Sequence, residues 1–342
     1  MLYTTLGNTG LVVSRLSLGT MTFTHGHRSI ASIHKVEGTL ADALVGRALD
    51  AGVNFFDTAD FYAAGESETL LGRALGKRRK DVIITTKAGV RTGDALTQAG
   101  LSRRHVRRSV DESLARLGTD WIDVYVAHVD DPHTPLDETL SALDDVVRAG
   151  KVRYLGFSNW PAWKASAAVE MQRARGLAPF THGQMCYSLL SRDVEREIAP
   201  MMRHHGLGMT VWSPLAGGFL CGKYTRETLS DPSRRYGDFD IFPFDKEHGF
   251  AVVERLRAVA SAHDATVAQV AIAWLLAKPV VSSVILGATA LAQLDDTLRA
   301  ASITLAPAEL AALDEATKLA PAYPGWFSDM VRDAPLARVL GR

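Results

Sequence analysis

Short apolar runs alternate with longer amphipathic segments along most of the chain. Between these runs, apolar residues recur at helical spacing, and several of the helical segments end at a glycine that is suited to a left-handed cap. The pattern predicts strands that alternate with helices, and such an order requires parallel pairing with helical crossovers. The predicted strands lie at residues 15–19, 53–57, 82–87, 122–128, 152–158, 180–184, 207–213 and 281–287.

Eight strands are the number that closes a (β/α)8 barrel, so we predict an α/β fold of the TIM-barrel class. An open doubly wound sheet is the competing fold, but it would be favoured by a GxGxxG turn after the first strand, which the sequence lacks. Two short segments at 3–7 and 11–14 predict a β-hairpin that caps the N-terminal end of the barrel. We find no linker or break in composition, so residues 1–342 are expected to form one domain.

Two connections, at residues 21–38 and 214–247, are longer than barrel closure requires. Loops of this length are uncommon unless they serve function. Both follow strands and therefore lie at the C-terminal face, where barrel enzymes place their sites. We expect these extended loops to contact a substrate or a cofactor.

The composition narrows the class of protein. Hydrophobic residues make up 47% of the 342 residues, and 38 basic residues balance 38 acidic ones, so a nucleic-acid partner is not expected. No apolar run approaches the ~20 residues of a membrane span, and the N-terminus lacks the pattern of a signal peptide. The two cysteines have no metal-ligand or disulfide spacing. These features predict a cytoplasmic globular protein that acts on a small molecule, and they leave the oligomeric state open.

Three ionisable residues end neighbouring predicted strands. Asp57 ends the second strand, Lys87 the third and His128 the fourth, while Tyr62 follows in the loop after the second. Because the strand ends of a barrel converge on one face, we expect these four side chains to meet. Each of them alone also has an ordinary structural interpretation, as a turn residue, a surface charge or a buried histidine.

Together the four groups suit proton transfer to an oxygen. A tyrosine with a pKa near ~10 is a weak acid at neutral pH, and a nearby ammonium lowers that pKa by stabilising the phenolate. A carboxylate holds the ammonium in place, and an imidazole orients a carbonyl oxygen. The chain has no serine or cysteine in a GxSxG-type turn, so this group does not build a nucleophile.

Several segments of the chain resemble signatures of the aldo-keto reductase superfamily. They are "NFFDTADFYAAGESETLLG" (54–72), "VIITTKAG" (82–89), "DVYVAHV" (123–129), "VRYLGFSNW" (152–160), "WSPLAGGFLCGKY" (212–224) and "VILGATALAQL" (284–294). The sequence is most similar to the longer-chain branch, which includes bacterial reductases and potassium-channel β-subunits. The resemblance runs in the family's order from about Tyr3 to Leu298. It implies a (β/α)8 barrel that binds a nicotinamide dinucleotide and reduces aldehydes or ketones.

The resemblance assigns roles to the four residues at the strand ends. Tyr62 corresponds to the family's general acid, and Lys87 to the residue that depresses its pKa. Asp57 corresponds to the anchor of Lys87 and lies beside the cofactor. His128 corresponds to the residue that orients the substrate carbonyl. An enzyme of this family that works mainly as a sugar- or sterol-type alcohol dehydrogenase remains an alternative, as does a cofactor-binding regulatory subunit that docks a partner protein.

The resemblance also implies contacts with each part of the cofactor. They comprise Gly19, Thr20 and Met21 beside the nicotinamide; Ser158, Asn159 and Gln184 at its carboxamide; Trp212 stacked on its ring; Ser213, Leu215, Gly217 and Lys223 at the pyrophosphate; and Gly287, Thr289, Gln293 and Asp296 at the adenosine phosphate.

One position departs from the family pattern. Many members carry an arginine after the "GA" of the last motif, where it meets the 2′-phosphate of NADP, but this chain has Thr289 and Ala290. NADP(H) is favoured by the resemblance, and NAD(H) stays possible because neither residue supplies the charge. Lys223, Arg226 or the pair Arg234–Arg235 could supply it instead.

Two other features have weaker interpretations. The histidines of residues 25–34 lack a nearby carboxylate or cysteine, so no metal site is expected. The C-terminal segment contains Tyr323, Trp326 and Phe327 without helical spacing. It either folds over the barrel mouth and helps to select the substrate, or it covers the core.

Overall fold

The apolar runs form the strands of a closed barrel in the computed structural model, which describes residues 1–27, 30–232 and 234–340. The barrel order is β10-β3-β4-β5-β6-β7-β8-β9, with parallel neighbours throughout, and it confirms the predicted (β/α)8 architecture. The strands are β1 (Tyr3–Thr5), β2 (Val12–Ser14), β3 (Leu16–Gly19), β4 (Phe55–Asp57), β5 (Ile83–Ala88), β6 (Ile122–Ala127), β7 (Val152–Ser158), β8 (Phe180–Cys186), β9 (Gly208–Trp212) and β10 (Val281–Gly287).

Helices follow the barrel strands and form the outer layer. Most strand residues are buried because helices cover the outside of the barrel and side chains fill its inside, which explains the continuous apolar runs. The helices are α1 (Gly38–Asp50), α2 (Glu66–Leu75), α3 (Arg103–Leu117), α4 (Leu136–Arg148), α5 (Ala162–Arg175), α6 (Ile198–His205), α7 (Arg235–Asp238), α8 (Lys246–Ala262), α9 (Val267–Leu276), α10 (Leu291–Leu298), α11 (Pro307–Ala316), α12 (Gly325–Met330) and α13 (Ala334–Leu340).

The first two strands form the predicted N-terminal hairpin, β1 paired antiparallel with β2. Leu6 and Val13 of this hairpin pack against Phe55, Ile83 and Val124 in a small buried cluster separate from the main core. Phe55 lies two residues before the end of its strand, so the cluster fills the barrel on the N-terminal side of Asp57. The hairpin therefore closes the end of the barrel opposite the predicted site.

The two long connections lie at the C-terminal face, as predicted. One joins β3 to α1, and the other joins β9 to α8 and contains a 3-10 helix at Ala216–Cys221 followed by α7. The second connection is held by stacked and edge-packed rings of Phe219, Tyr224 and Tyr236. It is thus a packed structural element with a fixed position beside β9.

The C-terminal segment does not bury its aromatic rings. Tyr323, Trp326 and Phe327 are 76%, 47% and 44% exposed, so the interpretation that they cover the core is wrong. Arg196, after β8, donates to the carbonyl of Ala320 and ties the start of the segment near the C-terminal face. A role at the barrel mouth stays a prediction.

No single helix of the described residues is long and apolar enough to cross a membrane. Helices α8 and α9 reach such a length and composition only when taken together, and they are bent by 91° at the break between them.

Candidate active site

A buried ion pair lies at the centre of the C-terminal face. Asp57 is the last residue of β4, and Lys87 is the fifth residue of the neighbouring strand β5. Nζ of Lys87 lies 2.6 Å from Oδ1 of Asp57 and also donates to the carbonyl of Thr58 at 2.7 Å. The two side chains are 0% and 5% exposed, so the pair is removed from water. Each group faces its partner and accepts or donates further hydrogen bonds, which offsets the cost of burying the pair.

Tyr62 reaches this pair because the chain turns sharply after it. Tyr62 begins a short 3-10 turn in which Ala63 and Ala64 have positive φ angles of 47° and 55°. Such angles are costly for residues with a Cβ and tend to occur at functional sites. The turn holds Oη of Tyr62 3.3 Å from Nζ of Lys87. It ends at Gly65, with φ of 91°, where a Cβ would lie 2.7 Å from Cδ of Arg116.

Burial and neighbouring charges together set the protonation states of these two groups. Burial raises the pKa of Tyr62, Lys87 opposes the rise, and Asp57 adds to it, so the net pKa lies above its usual value. Burial alone would lower the pKa of Lys87, but Asp57 and Tyr62 reverse this effect and the net pKa is raised. At neutral pH the site therefore holds a protonated phenol beside an ammonium, which is the state that a proton donor requires.

His128 follows β6 and completes the predicted set of four. Its ring lies 5.9 Å from the ring of Tyr62, measured between centroids. Burial, with a smaller effect of the Lys87 charge, lowers the pKa of His128 well below its usual value. The imidazole is therefore neutral at physiological pH. Its Nδ1 is buried and has no hydrogen-bond partner within the described part of the chain.

A continuous chain of hydrogen bonds joins the predicted carboxamide-binding residues to this ion pair. Nε1 of Trp212 donates to Oδ1 of Asn159 at 3.1 Å, and Nδ2 of Asn159 donates to Oγ of Ser158 at 2.9 Å. Oγ of Ser158 donates to the carbonyl of Gln184 at 2.8 Å, and Nε2 of Gln184 donates to Oδ2 of Asp57 at 2.7 Å. Gln184 thus holds the carboxylate oxygen of Asp57 that Lys87 leaves free.

The end of β3 lies directly beside Asp57. Gly19 pairs with Asp57 in register, and a Cβ at Gly19 would lie 2.6 Å from Cγ2 of Ile285. Oγ1 of Thr20 donates to the carbonyl of Asp57 at 3.1 Å, and this side chain is fully buried. Met21 is partly exposed. Thr20 is therefore a buried support of the strand end that carries Asp57, and the contact of Met21 with the cofactor stays a prediction.

The backbone of the loop after β9 has several residues with positive φ angles. Ser213 and Ala216 have positive φ angles of 51° and 45°. Gly217 has φ of 66°, and a Cβ there would lie 2.8 Å from the ring of Phe242. Leu215 is partly exposed. The ring of Phe242 already fills the space beside Gly217, so the positive φ angles and this close packing fix the course of the loop. Its role at the pyrophosphate of the predicted dinucleotide stays a prediction.

The predicted adenosine-phosphate segment is more exposed. The amide and hydroxyl of Thr289 both donate to Oε1 of the exposed Gln293, at 2.9 and 3.0 Å. The carboxylate of Asp296 accepts from Gln269 at 2.8 Å, so it helps to hold α10 against α9. Gly287 is exposed at the end of β10. None of these contacts supplies a positive charge.

The cations of the β9–α8 connection differ in whether an acid already holds them. Arg226 binds Glu247 at 2.5 Å. Arg234 lies 3.5 Å from Asp231, and Lys223 is exposed. Arg235 has no acidic partner within residues 1–27, 30–232 and 234–340, and its Nε is buried without a hydrogen bond there.

The sequence interpretation missed two contributors to the site. The ring of Phe61 lies 5.0 Å from that of Tyr62 and 5.2 Å from that of His128, measured between centroids, so it packs against both. Its position next to Tyr62 was a signal that could have been used. The carbonyl of Thr58, which binds Lys87, is a backbone group, and no side-chain pattern reveals it. Among the described residues, no group of three or more histidine, cysteine or acidic side chains is arranged to hold a metal ion.

Comparison with known proteins gives one family. The model of the aldo/keto reductase family matches residues 15–318. The uncharacterised oxidoreductase YrpG of Bacillus subtilis (strain 168) is 38% identical over 317 residues, which cover 89% of this chain and 92% of that protein. A probable voltage-gated potassium channel subunit beta of Oryza sativa subsp. japonica is 37% identical, with 89% and 92% covered. Versiconal hemiacetal acetate reductase of Aspergillus parasiticus is 32% identical, with 94% and 99% covered.

Proposed function

The chain belongs to the aldo/keto reductase family, and from this premise we propose that Tyr62 is the proton donor of its reaction. The protein is an NAD(P)H-dependent oxidoreductase that reduces an aldehyde or ketone to the alcohol. The observation that carries the assignment of Tyr62 is its hydroxyl at 3.3 Å from the Lys87 ammonium, which Asp57 in turn binds at 2.6 Å.

Each of the four groups has its own role in proton transfer. A reduced nicotinamide dinucleotide, when bound, would supply a hydride for the carbonyl carbon. Tyr62 donates its proton to the oxygen as negative charge develops there, and Lys87 stabilises the phenolate that remains. Asp57 fixes Lys87, which would otherwise be an unpaired buried charge. The neutral ring of His128 donates an N–H to the carbonyl oxygen and orients it.

We propose that the cofactor contacts follow the hydrogen-bond chain and the loop after β9. Ser158 and Asn159 orient the carboxamide, and the ring of Trp212 stacks on the nicotinamide. The loop that contains Gly217 accommodates the pyrophosphate, and the packing of Gly217 against Phe242 fixes the course of this loop. Gln184 acts on the carboxamide through its Oε1, since its Nε2 already donates to Asp57.

For the adenosine end we propose NADPH as the preferred cofactor, with Arg235 and Lys223 in place of the family's missing arginine. Arg226 is a weaker candidate because Glu247 already binds it. Tyr236, next to Arg235, donates its hydroxyl to the carbonyl of Ala216 and so places Arg235 beside the pyrophosphate loop. A guanidinium without an acidic partner is well suited to a phosphate.

Turnover assays test the catalytic assignment. Purified protein is incubated with a panel of aldehydes and ketones and either NADPH or NADH, and the loss of reduced cofactor is followed by absorbance. We expect turnover with at least one carbonyl and a higher kcat/KM for NADPH than for NADH. The alcohols of the best substrates, assayed with oxidised cofactor, give the preferred direction. Faster oxidation than reduction at neutral pH would favour the dehydrogenase interpretation.

A regulatory subunit is the second candidate function. Relatives named as potassium channel subunits favour it, since one of them is 37% identical to this chain. Tight cofactor binding without turnover on the whole panel would overturn the enzymatic role of this site and support that candidate.

A further inference from the structure

A second group of polar side chains lies on the outer side of the strand that carries Lys87. Thr86 on β5 and Tyr125 on β6 are neighbours in register and face the helices, whereas Lys87 faces the barrel. Glu68 comes from α2 and Arg116 from α3. Asp60 comes from the loop between β4 and α2, and its amide donates to the carbonyl of Lys87 at 3.2 Å. The group thus adjoins the ion pair of the active site.

Glu68 and Arg116 neutralise each other inside this group. Oε2 of Glu68 accepts from Nε of Arg116 at 2.6 Å, and Oε1 accepts from Oγ1 of Thr86 at 2.5 Å. The Glu68 side chain is fully buried. Both of its oxygens are satisfied, and the charge of Arg116 is balanced.

Among the residues that the structure describes, Asp60 has no counter-charge of its own. It is 3% exposed, and neither carboxyl oxygen has a hydrogen-bond partner among the described residues. The two nearby cations, Lys87 and Arg116, are bound to Asp57 and Glu68. Burial, followed by the charge of Glu68, raises the pKa of Asp60 well above its usual value, although Arg116, the nearby backbone amide of Phe61 and Lys87 oppose this rise. An unpaired buried carboxyl group avoids the cost of its charge by holding a proton.

The charge on Asp60 matters because the proton donor is close to it. Ionised Asp60 would raise the pKa of Tyr62, in the same direction as Asp57 and against Lys87. Tyr125 would feel the same charge, and its hydroxyl is also buried without a partner in the described chain. Glu112 on α3 also raises the pKa of Tyr125, but this effect is smaller than the opposite effect of Arg116. A neutral Asp60 leaves Asp57 as the one acid that acts on the Lys87–Tyr62 pair at close range.

We propose that Asp60 is a positioning residue of this reductase, held as a neutral carboxylic acid by the Glu68–Arg116 ion pair so that a second negative charge is kept from Tyr62. This inference rests on the proposed function, in which Tyr62 exchanges the proton. It gives the partly buried ion pair between α2 and α3 a role in setting the pH range of the reaction.

The pH profile of alcohol oxidation provides the first test, because that direction requires deprotonated Tyr62. In Glu68→Gln, Arg116 loses its acid and attracts a negative charge on Asp60, so the midpoint should move up by about one pH unit. Glu68→Gln combined with Asp60→Asn should return the midpoint to the wild-type value, because the amide has the shape of the acid without its charge. A merely structural role of Glu68 would leave the double variant no closer to wild type than the single one.

Asp60→Asn alone separates the two possible states of the wild-type carboxyl. If Asp60 is neutral, the midpoint stays in place. A downward shift of the midpoint would mean that wild-type Asp60 is ionised and would overturn the proposal. Thermal unfolding and cofactor binding, measured for every variant, identify any variant that fails to fold.

A spectroscopic test does not depend on turnover. In protein labelled with 13C at the aspartate carboxyls, the Asp60 signal is the one that Asp60→Asn removes. We expect it at the position of a protonated acid at neutral pH, and at the position of a carboxylate in Glu68→Gln. A wild-type signal at the carboxylate position would refute the proposal. A neutral Asp60 with no change in the profile of Glu68→Gln would instead refute its coupling to Tyr62.

Discussion

The two ends of the predicted cofactor site are built differently. At the proton-donor end, Lys87 is fully buried and bonded to Asp57, whose second oxygen accepts from Gln184. At the adenosine end, Lys223 and Gln293 are exposed, and the position where the family often has an arginine is Thr289. One end is a closed network, and the other is an open surface with few charges.

The difference between the two ends indicates how catalysis and cofactor preference should respond to single substitutions. In a buried network each group satisfies its neighbour, so the loss of one leaves another charge unpaired. Exposed cations are screened by water and make smaller, separable contributions. We therefore expect the chemistry to depend on every buried member, and the cofactor preference to respond gradually to single substitutions.

Lys87→Met should have the largest effect. It leaves Asp57 buried without its cation and Tyr62 without the charge that stabilises its phenolate. Carbonyl reduction should fall by about a thousandfold or more, and the free energy of unfolding by about 3–5 kcal/mol. Steady-state kinetics and denaturant unfolding measure both. As a control, Lys87→Met with Asp57→Asn should recover part of the stability but none of the activity. Near wild-type stability of the single variant would mean that the pair is not buried in solution.

At the adenosine end, Arg235→Ala should raise the KM for NADPH about tenfold or more and change the KM for NADH little, because it removes a charge-assisted contact with the 2′-phosphate. Arg226→Ala is the matched control, since Glu247 already binds that arginine. The KM values of both cofactors, measured on one aldehyde, decide the assignment. An equal increase for NADPH and NADH would place Arg235 at the pyrophosphate and contradict its role in cofactor choice.

Buried histidines should make the closed end sensitive to acid. Burial, together with the Lys87 charge, lowers the pKa of His182 from 6.5 to about 3. Below the unfolded pKa, the unfolded chain binds a proton that the folded chain does not, so stability falls with decreasing pH by about 1.4 kcal/mol per unit. Unfolding of wild type and His182→Leu at pH values between about 7 and 5 should show the shallower loss in the variant. Equal slopes would mean that His182 is protonated in the folded protein.

The smallest expected effect is a gain. Thr289→Arg supplies the family's missing charge on an exposed surface and should lower the KM for NADPH by about threefold to tenfold, with little change for NADH. The ratio of kcat/KM for the two cofactors measures it. No change in that ratio would show that Arg235 and Lys223 already saturate the phosphate, or that the phosphate lies elsewhere.

The sequence was sufficient to predict the residues at the strand ends. Asp57, Lys87 and His128 follow apolar runs, and parallel strands in a barrel must bring such ends to one face. The same reasoning located both long loops and the capping hairpin. These predictions hold because they depend on strand order and burial alone.

Other features depend on geometry that no pattern encodes. The bond between Gln184 and Asp57 joins residues 127 positions apart, and it requires two side-chain rotamers to match. The approach of Tyr62 to Lys87 requires positive φ angles at two alanines. Alanine does not favour a positive φ angle, so the sequence gives no sign of this turn. The neutral state that we propose for Asp60 depends on the pairing of Lys87 and Arg116 with other acids in the described chain. The exposure of Trp326 depends on which parts of the chain pack near it, so it could not be inferred from the hydrophobicity of the side chain.

The central claim, that Tyr62 donates the proton, is tested most directly by comparing cofactor binding and carbonyl reduction in Tyr62→Phe. The substitution removes one hydroxyl and keeps the ring packed against Phe61 and His128. We predict a dissociation constant for NADPH within about threefold of wild type and a single-turnover rate of reduction lower by about a hundredfold or more. Tight binding with a single-turnover rate near that of wild type would contradict the account.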